Sequence, residues 1–321
     1  MDINRKLKIF KCAFQSGATP FASLFVTRVC NRSCSFCNVH RQPGKELSTD
    51  EWKKAVDALY SWGVRNVSIN GGEPFLRKDI GELVSYASRQ KGCVTWLFTN
   101  GTLLDNGHLA QLKDLDFLCA SLNGLDDQTP AAISRFLGEL KKCETFGITP
   151  ALLVVITAEN VDSILAIARE CVGQGILFDF GILQDVGSLF SAQTGPQKPS
   201  YEKLKKLFTE LAALRAKTGK ILPSYPLLRK AADFYRKNNW KCPTAKNPFI
   251  VVNADGMLMP CQEFATNLSI FDITSLKDKR WIKAKKLVVD QCRGCSWTCY
   301  YQKTFRNPFD LLHESVTLLK F

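Results

Sequence analysis

The sequence predicts an α/β fold, a parallel sheet curled into a partial or complete (β/α)6 barrel of the TIM type, followed by a small cysteine-bearing unit. Three observations predict it. Between residues 21 and 183, six β-favouring runs alternate with segments of helical periodicity. Each of the first four runs ends in an unusual loop, which collects four such loops on the rim where parallel sheets carry their function. Beyond residue 240 the alternation gives way to short apolar runs and clustered cysteines.

The elements follow in order. Residues 21–27 are apolar and β-favouring, and they lead directly into Cys30-Asn-Arg-Ser-Cys34-Ser-Phe36-Cys37. Ser48 and Glu51 form a capping box that opens a helix with Trp52, Val56, Leu59 and Tyr60 on one face and Gly63 at its close. A second strand, 64–70, ends in Gly71-Gly72-Glu73-Pro74. Helix 79–90, strand 94–99 with Asn100-Gly101, helix 105–113 and strand 116–122 with Asn123-Gly124 come next. Thr129-Pro130 starts a further helix, because proline suits the first helical position, and strand 149–157, helix 161–172 and strand 176–183 complete the series. A polar segment, 188–200, serves as linker to a helix opening at Ser200 and a short segment at 225–239. Residues 249–253 and 257–259 read as a hairpin about Asp255-Gly256 that delivers Cys261. The expected divisions are a basic amphipathic segment at 1–20, a core at 21–187, linker and helices at 188–239, a cluster-binding unit at 240–304 and an apolar tail at 305–321.

The chain has 321 residues, 45% of them hydrophobic, and a formal net charge of +13. No apolar run approaches the roughly eighteen residues a membrane-spanning helix needs, and the N-terminus does not read as a secretory signal. Thirteen cysteines then point to thiols that ligate metal in a reducing compartment, the cytoplasm, rather than to a disulfide scaffold. The positive charge would suit an anionic substrate, lipid headgroups or nucleic acid, against the plainer reading of solvated helix faces. No aromatic-basic module supports nucleic acid. Amphipathic stretches at residues 4–14 and 305–321 suit either packing on the barrel or peripheral contact with the inner face of a membrane.

Three cysteines within eight residues are too local for separate core thiols. Bound to a [4Fe-4S] cluster, Cys30, Cys34 and Cys37 leave one iron without a protein ligand, with Phe36 as an apolar cover. With His40 they also match a Cys3His zinc site.

Taken with the Gly-Gly-Glu-Pro loop after the second strand, the C-x3-C-x2-C loop resembles the signature of the radical S-adenosylmethionine (SAM) enzymes, over residues 21 to 183. The resemblance implies that Cys30, Cys34 and Cys37 hold a [4Fe-4S] cluster whose open iron takes SAM. It implies that Gly71, Gly72, Glu73 and Pro74 meet the SAM amino group, and that Thr99, Asn100, Ser121 and Asn123 meet its carboxylate or ribose. Asn123 stands where many relatives carry Asp. Cys242, Cys261, Cys292, Cys295 and Cys299 are similar to the SPASM or twitch domains of the same superfamily, and five cysteines suit one auxiliary [4Fe-4S] cluster. Cys12, Cys93, Cys119, Cys143 and Cys171 read as core thiols, with Cys119 also a candidate hydrogen-atom donor.

The implied activity is reductive cleavage of SAM and hydrogen abstraction from a small-molecule, sugar or lipid-like intermediate, with flavodoxin or ferredoxin as electron donor. About 29 residues precede the first cysteine of the loop, too few for an N-terminal peptide-recognition domain, so a peptide-maturing role is the alternative. A zinc or iron-sulfur nucleic-acid-binding protein is the reading from another class.

Overall fold

A computed structural model describes residues 3–15, 21–42, 44–124, 128–183, 197–237, 244, 249–292, 295, 297 and 298. Its strands are β1 (Phe21–Thr27), β2 (Asn66–Gly71), β3 (Val94–Thr99), β4 (Phe117–Ser121), β5 (Thr149–Ile156), β6 (Leu177–Ile182), β7 (Phe249–Val252) and β8 (Leu258–Met259). They form one sheet in the order β6-β5-β4-β3-β2-β1-β7-β8, parallel throughout except for the final β7–β8 pair. The sheet is not closed; β6 and β8 are its edges.

The crossovers carry α2 (Thr49–Ser61), α3 (Ile80–Ser85), α4 (Asn106–Gln111), α5 (Pro130–Lys141) and α6 (Ile164–Gly173). Their caps were legible in the sequence. Ser48 and Glu51 form the expected capping box, and Thr129 caps α5 with Pro130 in its first turn. The helix expected at 79–90 is α3 followed by a π turn, Tyr86–Gln90. Beyond the barrel, α7 (Tyr201–Thr218), α8 (Tyr225–Lys237) and α9 (Lys279–Gln291) follow. Helix α9 carries five lysines and arginines in its first eight residues yet buries Trp281 and Lys285.

Alternate strand residues separate two environments. Leu97, Leu118, Ala120, Leu152, Val154, Phe178 and Phe180 face outward into the main core beneath the helices. Val94, Phe117, Cys119, Ala151 and Leu177 face inward and form a second, smaller core with Ile9 and Cys12. Those two belong to α1 (Ile3–Gln15), which plugs one end of the barrel. Lys8 of this helix pairs with the buried Asp116 at 2.6 Å and donates to Ser88 Oγ at 2.8 Å. Arg5 donates to the carbonyls of Gly147 and Lys113. Among the described residues, the basic amphipathic N-terminal stretch is therefore a packing element. The apolar tail, 305–321, lies outside the described residues.

The hairpin forms where the sequence places it, with Gly256 at φ +82° in its turn. Its first strand continues the barrel sheet, pairing Phe21 with Phe249 and Leu24 with Val252.

Candidate functional site

The loops after β1 and β2 are joined by backbone hydrogen bonds. Gly72 N donates to Thr27 O and Glu73 N to Val29 O, each at 2.8 Å. A Cβ on Gly71 would lie 2.4 Å from Thr27 O, and one on Gly72 would lie 2.2 Å from Val29 O, so no larger residue fits either position. Gly71 also has φ +151°. The glycines admit the neighbouring chain, which fixes the start of the cysteine loop.

The Glu73 side chain is fully buried and committed inward. One oxygen accepts from Thr99 Oγ1 at 2.8 Å and Phe75 N at 3.1 Å, and the other from Asn100 N at 2.7 Å. Burial raises its pKa, and the three donors pull against that rise. Glu73 thus ties the ends of β2 and β3 together, leaving the loop's main chain to face the site. Pro74, also buried, opens the short 3-10 turn Pro74–Leu76. Glu73→Ala would orphan three donors and is expected to cost about 3 kcal/mol in a urea unfolding experiment.

Cys30, Cys34 and Cys37 are all half-buried, as is Phe36. Cys37 N donates to Cys34 O at 3.1 Å, closing a turn that gathers the last two thiols. Burial pushes the Cys37 thiol up, and Cys34 and Cys30 add smaller repulsions of the same sign; among the described residues, no three His, Cys, Asp or Glu side chains are gathered closely enough to hold a single metal ion. Arg28, nearly buried, anchors the loop from below through Lys45 O at 3.0 Å and Asp255 Oδ2 at 2.6 Å. A cavity of about 540 Å3 opens against this loop, with Arg28, Cys30, Arg32, His40 and Glu46 among its walls. His40 Nε2 accepts from Arg41 Nε at 3.4 Å.

The third loop reaches the first. Asn100 Nδ2 donates to Asn31 Oδ1 at 2.7 Å and approaches Cys30 Sγ at 3.9 Å, while Asn100 Oδ1 accepts from Thr102 N and Thr102 Oγ1 at 2.9 and 2.6 Å. Asn31 Nδ2 closes the clasp on Thr102 Oγ1 at 2.8 Å. Arg32 N points at the same sulfur at 3.4 Å. Sequence reasoning found Asn100 but missed Asn31 and Thr102. The polar residue inside the cysteine spacing was the available signal.

The remaining expected residues fall in several places. Thr99 is buried on Glu73, whereas Ser121 ends β4 half-buried on its inward side. Asn123 holds Val155, accepting from its N at 2.7 Å and donating to its O at 3.4 Å, so the amide substitutes for a backbone partner beside β5. Cys119 faces inward but is 1% exposed, sealed among Ile9, Cys12 and Phe117 in the barrel floor. Burial drives its thiol well above the ordinary range. This burial supports the core-thiol reading that the sequence also offers.

Among the C-terminal cysteines, Cys261, Cys292 and Cys295 are half-buried, and Cys242 and Cys299 lie outside the described residues. Cys292 caps the end of α9. Cys261 Sγ accepts from Glu263 N at 3.4 Å, and Glu263 in turn accepts from Trp297 Nε1. Cys37, Cys261 and Trp297 all pack against one apolar cluster, Phe25, Val39, Phe249, Val251 and Met259. The shared sheet edge therefore brings a cysteine of the first loop and one of the C-terminal set to a common apolar wall.

Comparison with known proteins agrees with this architecture. Residues 24–171 match the family model described as the radical SAM superfamily. The chain is 34% identical over 175 residues to an Fe-coproporphyrin III synthase of Methanosarcina barkeri, a match covering 51% of this chain and 44% of that protein. It is 28% identical over 298 residues to a PqqA peptide cyclase of Bradyrhizobium diazoefficiens, covering 87% and 76% of the two chains. The chain thus spans less than half the length of the first of these relatives. Among solved structures, Streptococcus suis SuiB superposes with a TM-score of 0.62 at 17% identity, covering 82% of this chain and 67% of SuiB. Native anSMEcpe with bound AdoMet and the Cp18Cys peptide gives a TM-score of 0.60 at 16% identity, covering 94% and 95%. With the cysteine loop and the Gly-Gly-Glu-Pro loop joined on one rim of an open barrel, residues 24–171 carry a radical SAM domain, of the superfamily that pairs a [4Fe-4S] cluster with S-adenosylmethionine.

Proposed function

We propose that this chain cleaves SAM reductively at a cluster held by Cys30, Cys34 and Cys37, and abstracts a hydrogen atom from a substrate lodged in the barrel. The observation that carries the reading is the convergence of three rim loops. Residues 72 and 73 are bonded to the backbone that leads into the cysteines, and Asn100 reaches the first of them from the third loop. The donor set fits the group, since three soft thiols on one loop are the ligands an iron-sulfur cluster takes and leave it one open corner. When bound, the cluster and SAM supply a 5′-deoxyadenosyl radical. The chain's own residues then position and shield. Glu73 fixes the loops, Phe36 gives an apolar cover, and Gly71–Pro74 and Ser121 line the rim where SAM would lie. Cys242 and Cys261, with two of Cys292, Cys295 and Cys299, would hold an auxiliary cluster.

Anaerobic reconstitution followed by SAM and a strong reductant should yield 5′-deoxyadenosine and about eight irons per chain. Two tightly held zincs and no SAM cleavage would overturn the reading in favour of a binding protein. On substrate, the interior suits a small intermediate or one side chain presented by a peptide. The peptide reading draws on the PqqA peptide cyclase, whose match covers 87% of this chain.

Asn100 offers a test that does not depend on turnover. Hydrogen bonds to a ligating sulfur stabilise the reduced, more negative cluster. Asn100→Ala should shift its potential negative by on the order of tens of millivolts in an EPR-monitored titration. Arg32 N remains in place to the same sulfur, so the shift should be partial.

A further inference from the structure

The open interior of the barrel carries one acid that the site described above does not use. Towards the rim, inward residues Trp96, Phe98, Leu153, Val155 and Asp179 are half-buried while their outward neighbours Leu97, Leu152, Val154, Phe178 and Phe180 are buried. That alternation marks a lumen open to solvent above the floor made with α1, walled mainly by apolar side chains. Asp179 of β6 is paired in register with Leu153, which is paired with Ser121 at the end of β4, so the acid stands in the row of the rim residue. Among the described inward positions of β1 to β6 it is the one charged side chain.

Its surroundings leave the charge poorly compensated. The carboxylate accepts from Phe180 N at 2.8 Å, a bond within its own stretch of strand, and among the described residues no salt bridge reaches it. Enclosure pushes its pKa up to about 6, so it is still mostly ionised at neutral pH. A carboxylate held against apolar walls costs free energy that a cation lodged beside it would offset. Thr298 Oγ1 donates to Phe180 O at 3.3 Å, which brings the segment carrying Cys295 alongside the same strand.

We infer that Asp179 determines specificity by receiving a cationic nitrogen of the substrate, whose apolar body lies against Trp96, Phe98, Leu153 and Val155. This rests on the lumen being the substrate site, as proposed above. It runs against the expectation of an anionic substrate drawn from the surface charge of +13, because the lumen has the opposite sign to the surface. A free amine and a basic side chain of a peptide share this chemistry.

The test uses the full reconstituted chain, saturated with SAM and left unreduced, so that binding is read apart from radical chemistry. Phenethylamine is titrated by calorimetry against 2-phenylethanol, and a blocked Gly-Arg-Gly peptide against its citrulline counterpart. In at least one pair the cation should bind about tenfold or more tightly, and Asp179→Asn should reduce that preference to about twofold or less. Preference confined to the amine pair assigns a small substrate, and preference confined to the peptide pair assigns a peptide. Asparagine can keep the bond from Phe180 N, and a wild-type-like circular dichroism melt verifies that the variant folds. Equal binding of charged and neutral partners by the wild type, or a preference that survives in Asp179→Asn, overturns the inference. Absence of 5′-deoxyadenosine from the wild type with the cation preference intact would instead sink the proposed reaction alone.

Discussion

Gly72→Ala is expected to strip the first cluster from a chain that still folds. The new methyl group would lie 2.2 Å from Val29 O and 2.8 Å from Arg28 O, distances that neither backbone can accept. The loops must part, breaking the bonds from Gly72 N to Thr27 O and from Glu73 N to Val29 O. Two lost hydrogen bonds and the attendant strain correspond to about 2–4 kcal/mol. Because β1 keeps its pairing with β2 as far as Phe25 and with β7, the damage stays at the rim. Iron per chain should fall from about eight to about four, and 5′-deoxyadenosine formation by at least about tenfold, with the far-ultraviolet circular dichroism unchanged. Full iron with normal cleavage would show that the two loops need not touch.

Replacing Cys30, Cys34 and Cys37 together by alanine should have the larger chemical effect and the smaller structural one. All three thiols are half-exposed at the rim rather than packed in the floor, so their loss removes little buried surface and should cost less than about 1 kcal/mol in the metal-free protein. SAM cleavage should vanish and about four irons should remain, bound at the C-terminal cysteines. Cys37 and Cys261 share an apolar wall, so loss of all iron would mean that the second site needs the first for its assembly. The two variants are informative together, since one removes ligands and the other removes their support.

How much of this was legible in the sequence follows from range. Signals carried by neighbours in the chain were read well. The capping box of α2, the proline start of α5, the strand at 94–99 and the hairpin about Gly256 all form where local chemistry puts them. The cysteine and Gly-Gly-Glu-Pro loops were likewise found because residue types and spacing announce them. A carboxylate beside two glycines looks available, and only the fold shows that Phe75, Thr99 and Asn100 converge on Glu73. For Cys119 the sequence offered two readings, a core thiol and a hydrogen-atom donor. Its place near a strand end suggested access, but a helix more than a hundred residues earlier in the chain seals it. Asp179 went unremarked because an acid in the strand Leu177–Ile182 has no local meaning until the direction of its side chain is known.

The pairing of Phe21 with Phe249 sets a timetable as well as a shape. Strand β1 and its cysteine loop leave the ribosome early, yet one flank of that strand and the Asp255 anchor for Arg28 belong to residues made more than two hundred positions later. Contacts of such long sequence separation form slowly. Until they form, three thiols wait on a loop whose outer edge is an unpaired strand, exposed to oxidation and to wrong partners. Iron delivery to the first loop should therefore be most productive after synthesis is complete, when the hairpin has docked and both sets of cysteines can be filled on the same finished scaffold.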